Sequence, residues 1–478
     1  MSNNDKLYLN GIDGETGQYL VEPMELADAA SMVKNIKPSN PVFEWLRRVW
    51  KTISNPSLGL PINLDPAKVG EVGWAIVFQQ NESQAVRKAL QPLIEHRKQQ
   101  VGDERKVKNL TYRDGQNRAD WLAGYGVSAG NIAPSKVPFY LLFIGDPKQI
   151  PFGFCQEMDV EYAVGRLHFD TPEEYSRYVA SVIEYENSAI VPNAREAVFF
   201  GVRHEFDHAT QMSADLLVNP LADGPNKLTP GVATHWGFAT RKLWGEKATK
   251  SALTKVLRTR NGAKPPAFLF TASHGMGFRK GHPRQLREQG ALLCQDWPGF
   301  GLISPDHYFA AADLPADANV RGLIAFHFAC YGAGTPNFDN FMHKPGEPPP
   351  QIADQPFIAA LPKALLAHPK GGALACIGHV ERAWGYSIVG PTTEPQLIPF
   401  QNAIGRLLVG QPVGYAIKDF NEKFAALSVS LCNLLQQVGF GVEVPDYELA
   451  DSWVERNDAG GYIVVGDPAV RLRVEQMN

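Results

Sequence analysis

Seven short apolar runs punctuate this sequence: GWAIVF (73–78), PFYLLFIG (138–145), AVFFGV (197–202), AFLFTA (267–272), GLIAFHFA (322–329), GGALACIG (371–378) and YIVVGDP (462–468). They are continuous rather than alternating, so each reads as a strand buried on both faces. Such strands belong to a parallel sheet covered by helices on both sides. The segments between them carry helical periodicity. Val86, Leu90, Leu93 and Ile94 mark one helix over 83–100, and Thr171 caps a second over 172–188 with Pro172 in its first turn. Further helices are predicted over 207–218 and 412–436. The phrase apolar strand plus Gly-Asp-Pro recurs at 144–147 and 465–468, which is repeated strand-exit chemistry rather than a sequence repeat. The expected fold class is α/β, organised as two α/β subdomains over 70–220 and 221–478. Residues 1–69 precede them as an extension with short helices around 24–36 and 41–54.

Composition narrows the function classes. Of 478 residues, 44% are hydrophobic and 20% charged, the balance of an ordinary globular chain. A net charge of −4 predicts neither a nucleic-acid footprint nor an attraction to anionic membrane surfaces. The five cysteines are odd in number and include no C-x-x-C pair, which argues against a disulfide framework and suits a reducing compartment. The first residues, MSNNDKLYLNGIDGETG, lack a basic-then-apolar signal, and no apolar run approaches a membrane span. The expectation is a soluble cytoplasmic protein with no membrane or nucleic-acid partner.

One formal motif stands out. Residues 204–208 read HEFDH, the zinc-peptidase pattern in which His204 and His208 ligate the metal and Glu205 activates water. The pattern requires one helix running through both histidines. Here a strand ends just before His204, and Asp207-Ala-Thr-Gln looks like a helix beginning at Asp207, which would put the histidines out of register. A zinc endopeptidase using His204, Glu205 and His208 therefore stays as an alternative. A G-x-S-x-G at Gly126–Gly130 follows a short helical stretch instead of a strand and fails as a nucleophile elbow.

Parallel sheets deliver reactive groups just beyond the carboxyl ends of their strands. AFLFTA leads into Ser273-His274-Gly275, and GLIAFHFA leads into Cys330-Tyr331-Gly332. If these strands are neighbours, an imidazole and a thiol face one another across the sheet edge. That pair suits acyl transfer: a thiolate attacks a carbonyl while the imidazole manages the protons. Gly275 and Gly332 would let backbone approach a substrate and aim N–H groups at an oxyanion. Cys376 also follows an alanine, but its strand continues, so it reads as packing; His327 reads as a strand side chain.

The paired phrases TASHG and FHFACYGAG resemble those of clan CD cysteine peptidases, the caspases and gingipains among them. LLFIGDPKQIP, EYAVGRLHFDTPEEY, VIEYE and YIVVGDPAVRL are similar to the gingipain (C25) branch, over roughly 70–475. The resemblance implies a caspase-hemoglobinase-like sheet sandwich, an endopeptidase activity without a cofactor or metal, and a protein or peptide substrate. It makes His274 the general base and acid, Cys330 the nucleophile, and the N–H groups of Gly275 and Cys330 the oxyanion hole. An acid ahead of Gly165-Arg166, among Glu157, Asp159 and Glu161, would then select Arg or Lys before the cut, with Glu381 and Trp384 flanking the pocket. The chain departs from the secreted gingipains in showing no signal sequence, which favours an intracellular enzyme held off until a partner or signal activates it. A catalytically silent caspase-like module that binds partners is the other alternative.

Overall fold

The chain is described by a computed structural model covering residues 6–34, 60–61, 63–258, 262–299, 301–339, 341–342, 348–385, 388–389 and 395–477. The helix expected over 41–54 lies outside these residues. The apolar runs form strands, and each strand interior is buried throughout. In chain order the strands that matter here are β1 (Gly11–Asp13), β2 (Trp74–Gln79), β3 (Val107–Tyr112), β4 (Tyr140–Ile144), β5 (Ala163–Leu167) and β6 (Ala194–Gly201). They continue with β7 (Ala239–Trp244), β8 (Pro266–Ala272), β9 (Gly275–Gly277), β10 (Ile324–Phe328), β11 (Ala375–His379) and β12 (Tyr462–Gly466).

All but β1 and β9 join one ten-stranded sheet, ordered β3-β2-β4-β5-β12-β11-β10-β8-β6-β7. Pairing is parallel everywhere except between β12 and β11. The sheet is thus two parallel blocks running in opposite directions and meeting at that seam, with their carboxyl ends on opposite edges. The mostly parallel sheet follows from the continuous apolar runs, which can bury both faces only under helices.

Local signals set the flanking helices. Ser83 caps α1 (Gln84–Val101), and a capping box between Thr171 and Glu174 starts α2 (Pro172–Asn187). The stretch expected as one helix over 207–218 is α3 (His208–Gln211), followed by a wide π-type turn over Met212–Val218. The helix expected over 412–436 is two pieces, a short turn at Val413–Ala416 and then α4 (Lys418–Gly439). A last helix, α5 (Asp446–Gly461), packs against α4 and against the helix at Leu26–Lys34.

Two features depart from the expected subdomains. Strand β6 pairs with β7 and β8, so the block holding His274 and Cys330 begins at Ala194, ahead of the expected division at 220. The closing strand β12 inserts between the halves and pairs with β5 and β11. Strand order is set by which crossover fits the sheet, not by position in the chain. The beginning of the chain is also no separate appendage: β1 pairs parallel with β9, at the exit of β8.

Candidate active site

Register explains how His274 and Cys330 meet. In the parallel pair β8–β10, Ala272 lies opposite Phe328. His274 and Cys330 each come two residues later, at the same level on adjacent strands. Both are fully buried. After His274 the chain turns into β9 and crosses the Cys330 backbone so closely that a Cβ on Gly275 would lie 1.8 Å from the Cys330 carbonyl oxygen. Only glycine fits there.

The neighbouring strand β6 supplies a third group that sequence reasoning did not assign. Its exit leads through a short loop to Asp207, which caps α3 by accepting from the Ala209 N–H at 3.2 Å. Its other oxygen accepts from His274 Nε2 at 2.6 Å. The Tyr19 hydroxyl also donates to this carboxylate. Burial by itself would push the Asp207 pKa up, but the His274 charge and the hydrogen bonds from His274, Tyr19 and Thr210 outweigh it and hold the group ionised. With Nε2–H committed to Asp207, the second ring nitrogen, Nδ1, has no partner among the described residues. Asp207 thus fixes the imidazole tautomer and leaves one nitrogen free to exchange a proton.

The thiol sits in the opposite electrostatic situation. Burial raises the Cys330 pKa to about 12, although the Ala383 N–H, 3.2 Å from Sγ, pulls it back. A thiol in this state is neutral at physiological pH, so its reactivity depends on a base taking the proton during attack. Immediately after it, Tyr331 has φ 59, and at the exit of β11 Glu381 has φ 81. These are the two non-glycine residues with positive φ among the described residues, and the Tyr331 N–H donates to the Glu381 carbonyl at 2.6 Å. Strained backbone at two adjacent strand exits is held by a buried ion pair between Arg382 and Asp339.

The N–H groups of Gly275 and Cys330 converge on one acceptor, the carbonyl oxygen of Asn10, at 2.9 and 3.0 Å. That carbonyl belongs to the strand entering β1. On one side of it the Asn10 N–H donates to Ala383 O at 2.9 Å, Leu9 bridges Trp384 in antiparallel fashion, and Gly385 N–H donates to Tyr8 O at 3.0 Å. Residues 8–10 therefore run along the 383–385 edge and over the thiol.

The other expected site residues are scattered. Trp384 is buried, stacks near Phe341 and lines this edge. Its N–H donates to Asp458 of α5 at 2.6 Å. Glu381 pairs with Arg382 at 2.9 Å and, with Trp384, lines a cavity of about 450 Å³ beside the edge. The three acids expected to select a basic side chain are not brought to Asn10. Glu161 pairs with Arg118 and accepts from Gly130 N–H at 2.8 Å. Asp159 accepts from Val164 N–H at 2.9 Å and lies beside Lys418, its pKa raised by burial to about 6. Glu157 lines a different cleft, with Tyr112 and Tyr175. His327 is buried between β8 and β10, with Nδ1 2.8 Å from Thr271 Oγ1, and Cys376 lies inside β11.

HEFDH is not one helical turn pair. The helix begins at His208, and His204 lies before it, stacked on Phe206 and edge-on to Trp297. The ring of His208 packs instead against Tyr8. The motif's contribution to this edge is its fourth residue, Asp207. The signal that could have found it is topological: an acid follows the strand next to the histidine strand.

No curated protein matches the sequence. A solved structure described as "Structure of Protease" aligns with a TM-score of 0.45 and 11% identity, covering 84% of this chain and 78% of that one. The model of "Peptidase family C25" matches residues 76–473, which takes in β2 to β12 and both His274 and Cys330. The chain belongs to peptidase family C25 and is a cysteine peptidase.

Proposed function

We propose that the chain is an endopeptidase in which Cys330 is the nucleophile, His274 its general base and acid, and Asp207 the group that orients His274. The observation that carries this reading is the convergence of two backbone N–H groups, Gly275 and Cys330, on one carbonyl oxygen beside the thiol. In the reaction, Nδ1 of His274 takes the thiol proton as sulfur attacks the substrate carbonyl carbon. The two N–H groups hold the oxyanion, His274 then protonates the leaving amine, and water hydrolyses the thioester. No cofactor enters these steps.

A preference for Arg or Lys before the cut would need a free carboxylate in the first pocket. Asp159 and Glu161 are committed to Val164, Gly130 and Arg118, which weighs against that preference. Five unpaired cysteines suit an intracellular, reducing setting, and among the described residues no helix is long and apolar enough to cross a membrane. A neutral, covered thiol suits an enzyme that waits for an activating partner or signal.

The test is a peptide-library cleavage profile with and without Cys330→Ala, in the presence and absence of a chelator. Cleavage lost in the variant and indifferent to the chelator supports the reading. Cleavage that survives the substitution but not the chelator would favour the zinc site, and a chain inert on every peptide would favour a partner-binding module.

A further inference from the structure

The strand that fills the cleft is laid out as a substrate would be. We propose that Tyr8–Ile12 is a peptide substrate bound in cis, and that the site cuts between Asn and Gly, at its own Asn10–Gly11 bond first. This rests on the reading of Cys330 and His274 as the catalytic pair.

Four observations converge on that one bond. The Asn10 carbonyl oxygen takes both N–H groups assigned to the oxyanion, which is where the reacting carbonyl of a cleavable peptide must sit. The backbone before it adds a strand to the 383–385 edge, through Asn10 N–H to Ala383 O and Gly385 N–H to Tyr8 O, and the backbone after it pairs with β9. Peptides held by strand addition are gripped on both sides of the bond, with pockets reading alternate side chains. The Asn10 side chain is fully buried and fits a small neutral pocket: its Nδ2 donates to Ser213 Oγ at 3.1 Å and lies 3.5 Å from the Ser273 carbonyl. Ser213 is presented by the π-type turn after α3, a distortion that often marks functional positions. Among the described residues no carboxylate contacts the Asn10 side chain and its Oδ1 has no hydrogen-bond partner, so the pocket suits a neutral carboxamide better than a guanidinium, which would be buried without a counter-charge. Finally, a Cβ on Gly11 would lie 2.7 Å from Leu20 Cδ1, 2.8 Å from Cys330 Sγ and 2.9 Å from Leu9 Cδ1, so a side chain after the cut would push these groups, the sulfur included, out of place.

The chemistry closes without an added reagent other than water. Cys330 sulfur bonds to the Asn10 carbonyl carbon, the bond to the Gly11 nitrogen breaks, and His274 passes the thiol proton to that nitrogen. Water then splits the thioester, leaving the Asn10 carboxylate and a free thiol. Release of the strand ending at Asn10 empties the 383–385 edge for substrates in trans.

The experiment follows the full-length protein and its Cys330→Ala variant by intact mass and N-terminal sequencing during incubation. It runs beside the peptide library, which includes a peptide of sequence Tyr-Leu-Asn-Gly-Ile-Asp. The expected result is a new N-terminus reading Gly-Ile-Asp-Gly in the wild-type chain only, and library cuts concentrated between Asn and Gly. Asn10→Gln adds one methylene to a filled pocket and Gly11→Ala adds a methyl against the sulfur, so each should slow the self-cut at least about tenfold. Cys330-dependent cleavage of library peptides after other residues, with Asn10–Gly11 left intact, overturns the inference and leaves the peptidase reading standing. Absence of any Cys330-dependent cleavage overturns the peptidase reading, and the inference with it.

Discussion

Both blocks of the sheet bury polar groups, and they use them in opposite ways. In the first block Arg97 is fully buried between two carboxylates, Asp467 at 2.8 Å and Glu186 at 2.6 Å, and Asp467 also accepts from Trp74 Nε1. Lys418 donates to the carbonyls of Asp159, Val160 and Tyr162, and Arg118 pairs with Glu161. These groups hold each other and the strand exits in place. In the second block the carboxyl edge of β8 and β10 carries a thiol, an imidazole nitrogen without a partner among the described residues and a pair of N–H groups answered by the strand entering β1. A charge network that satisfies itself is scaffold. An edge whose donors and acceptors are satisfied by a removable segment has chemistry to offer once that segment moves.

This contrast predicts that damage to the two blocks should read out in different measurements. Replacing Cys330 with Ala should lower cleavage by about ten-thousandfold or more while leaving the thermal midpoint within a degree or two of the wild type. A large loss of stability would instead mean that the edge is scaffold too.

Arg97→Ala should do the reverse. It strands two buried carboxylates and should destabilise folding by about 3–5 kcal/mol, with turnover per folded molecule unchanged, as followed by denaturant melts with parallel assays. The pH dependence sharpens this prediction. Burial raises the Glu186 pKa, but Arg97 and His96 outweigh it and hold the group at about 2 in the folded state, against an ordinary 4.5. Because the folded value is depressed, this contribution is complete above the ordinary value and disappears as pH falls towards 2. The variant should show a flatter acid limb in that window.

Asp207→Asn keeps the shape but offers His274 an amide that accepts only through one atom, so the imidazole loses its fixed tautomer. The expected loss is about a hundredfold to a thousandfold in kcat, with little change in KM. The smallest effect belongs to Tyr19→Phe, which removes one hydrogen bond to Asp207. About a threefold to tenfold slower rate, equivalent to ~1 kcal/mol, is expected, measured as kcat with the melting curve as control. An unchanged rate would show that Tyr19 only packs against the His274 ring, 5.7 Å between centroids.

Much of the architecture was legible because it rests on local rules. Continuous apolar runs implied parallel strands under helices, and Thr171 with Pro172 marked the start of α2, where the structure also shows Glu174 closing a capping box. His274 and Cys330 were readable because each directly follows its own strand, and β8 and β10 proved to be neighbours in register. Asp207 was visible only as a helix start, since its second role depends on β6 lying beside β8. The sequence could not place the acids of 157–161 for the same reason: which partner a buried carboxylate meets is set by elements far away, such as Arg118 and Lys418.

The sequence by itself determined the strands and most helix starts, and it set His274 and Cys330 directly after their strands. Tertiary structure alone decided the antiparallel seam between the blocks, the Asp207–His274 pair and the seating of Asn10 on the two N–H groups. Those depend on contacts between segments far apart in the chain, from the 67 residues between Asp207 and His274 to the 320 from Asn10 to Cys330. Apolar periodicity encodes which face of an element is buried but not which neighbour covers it, and crossover packing settles the neighbour.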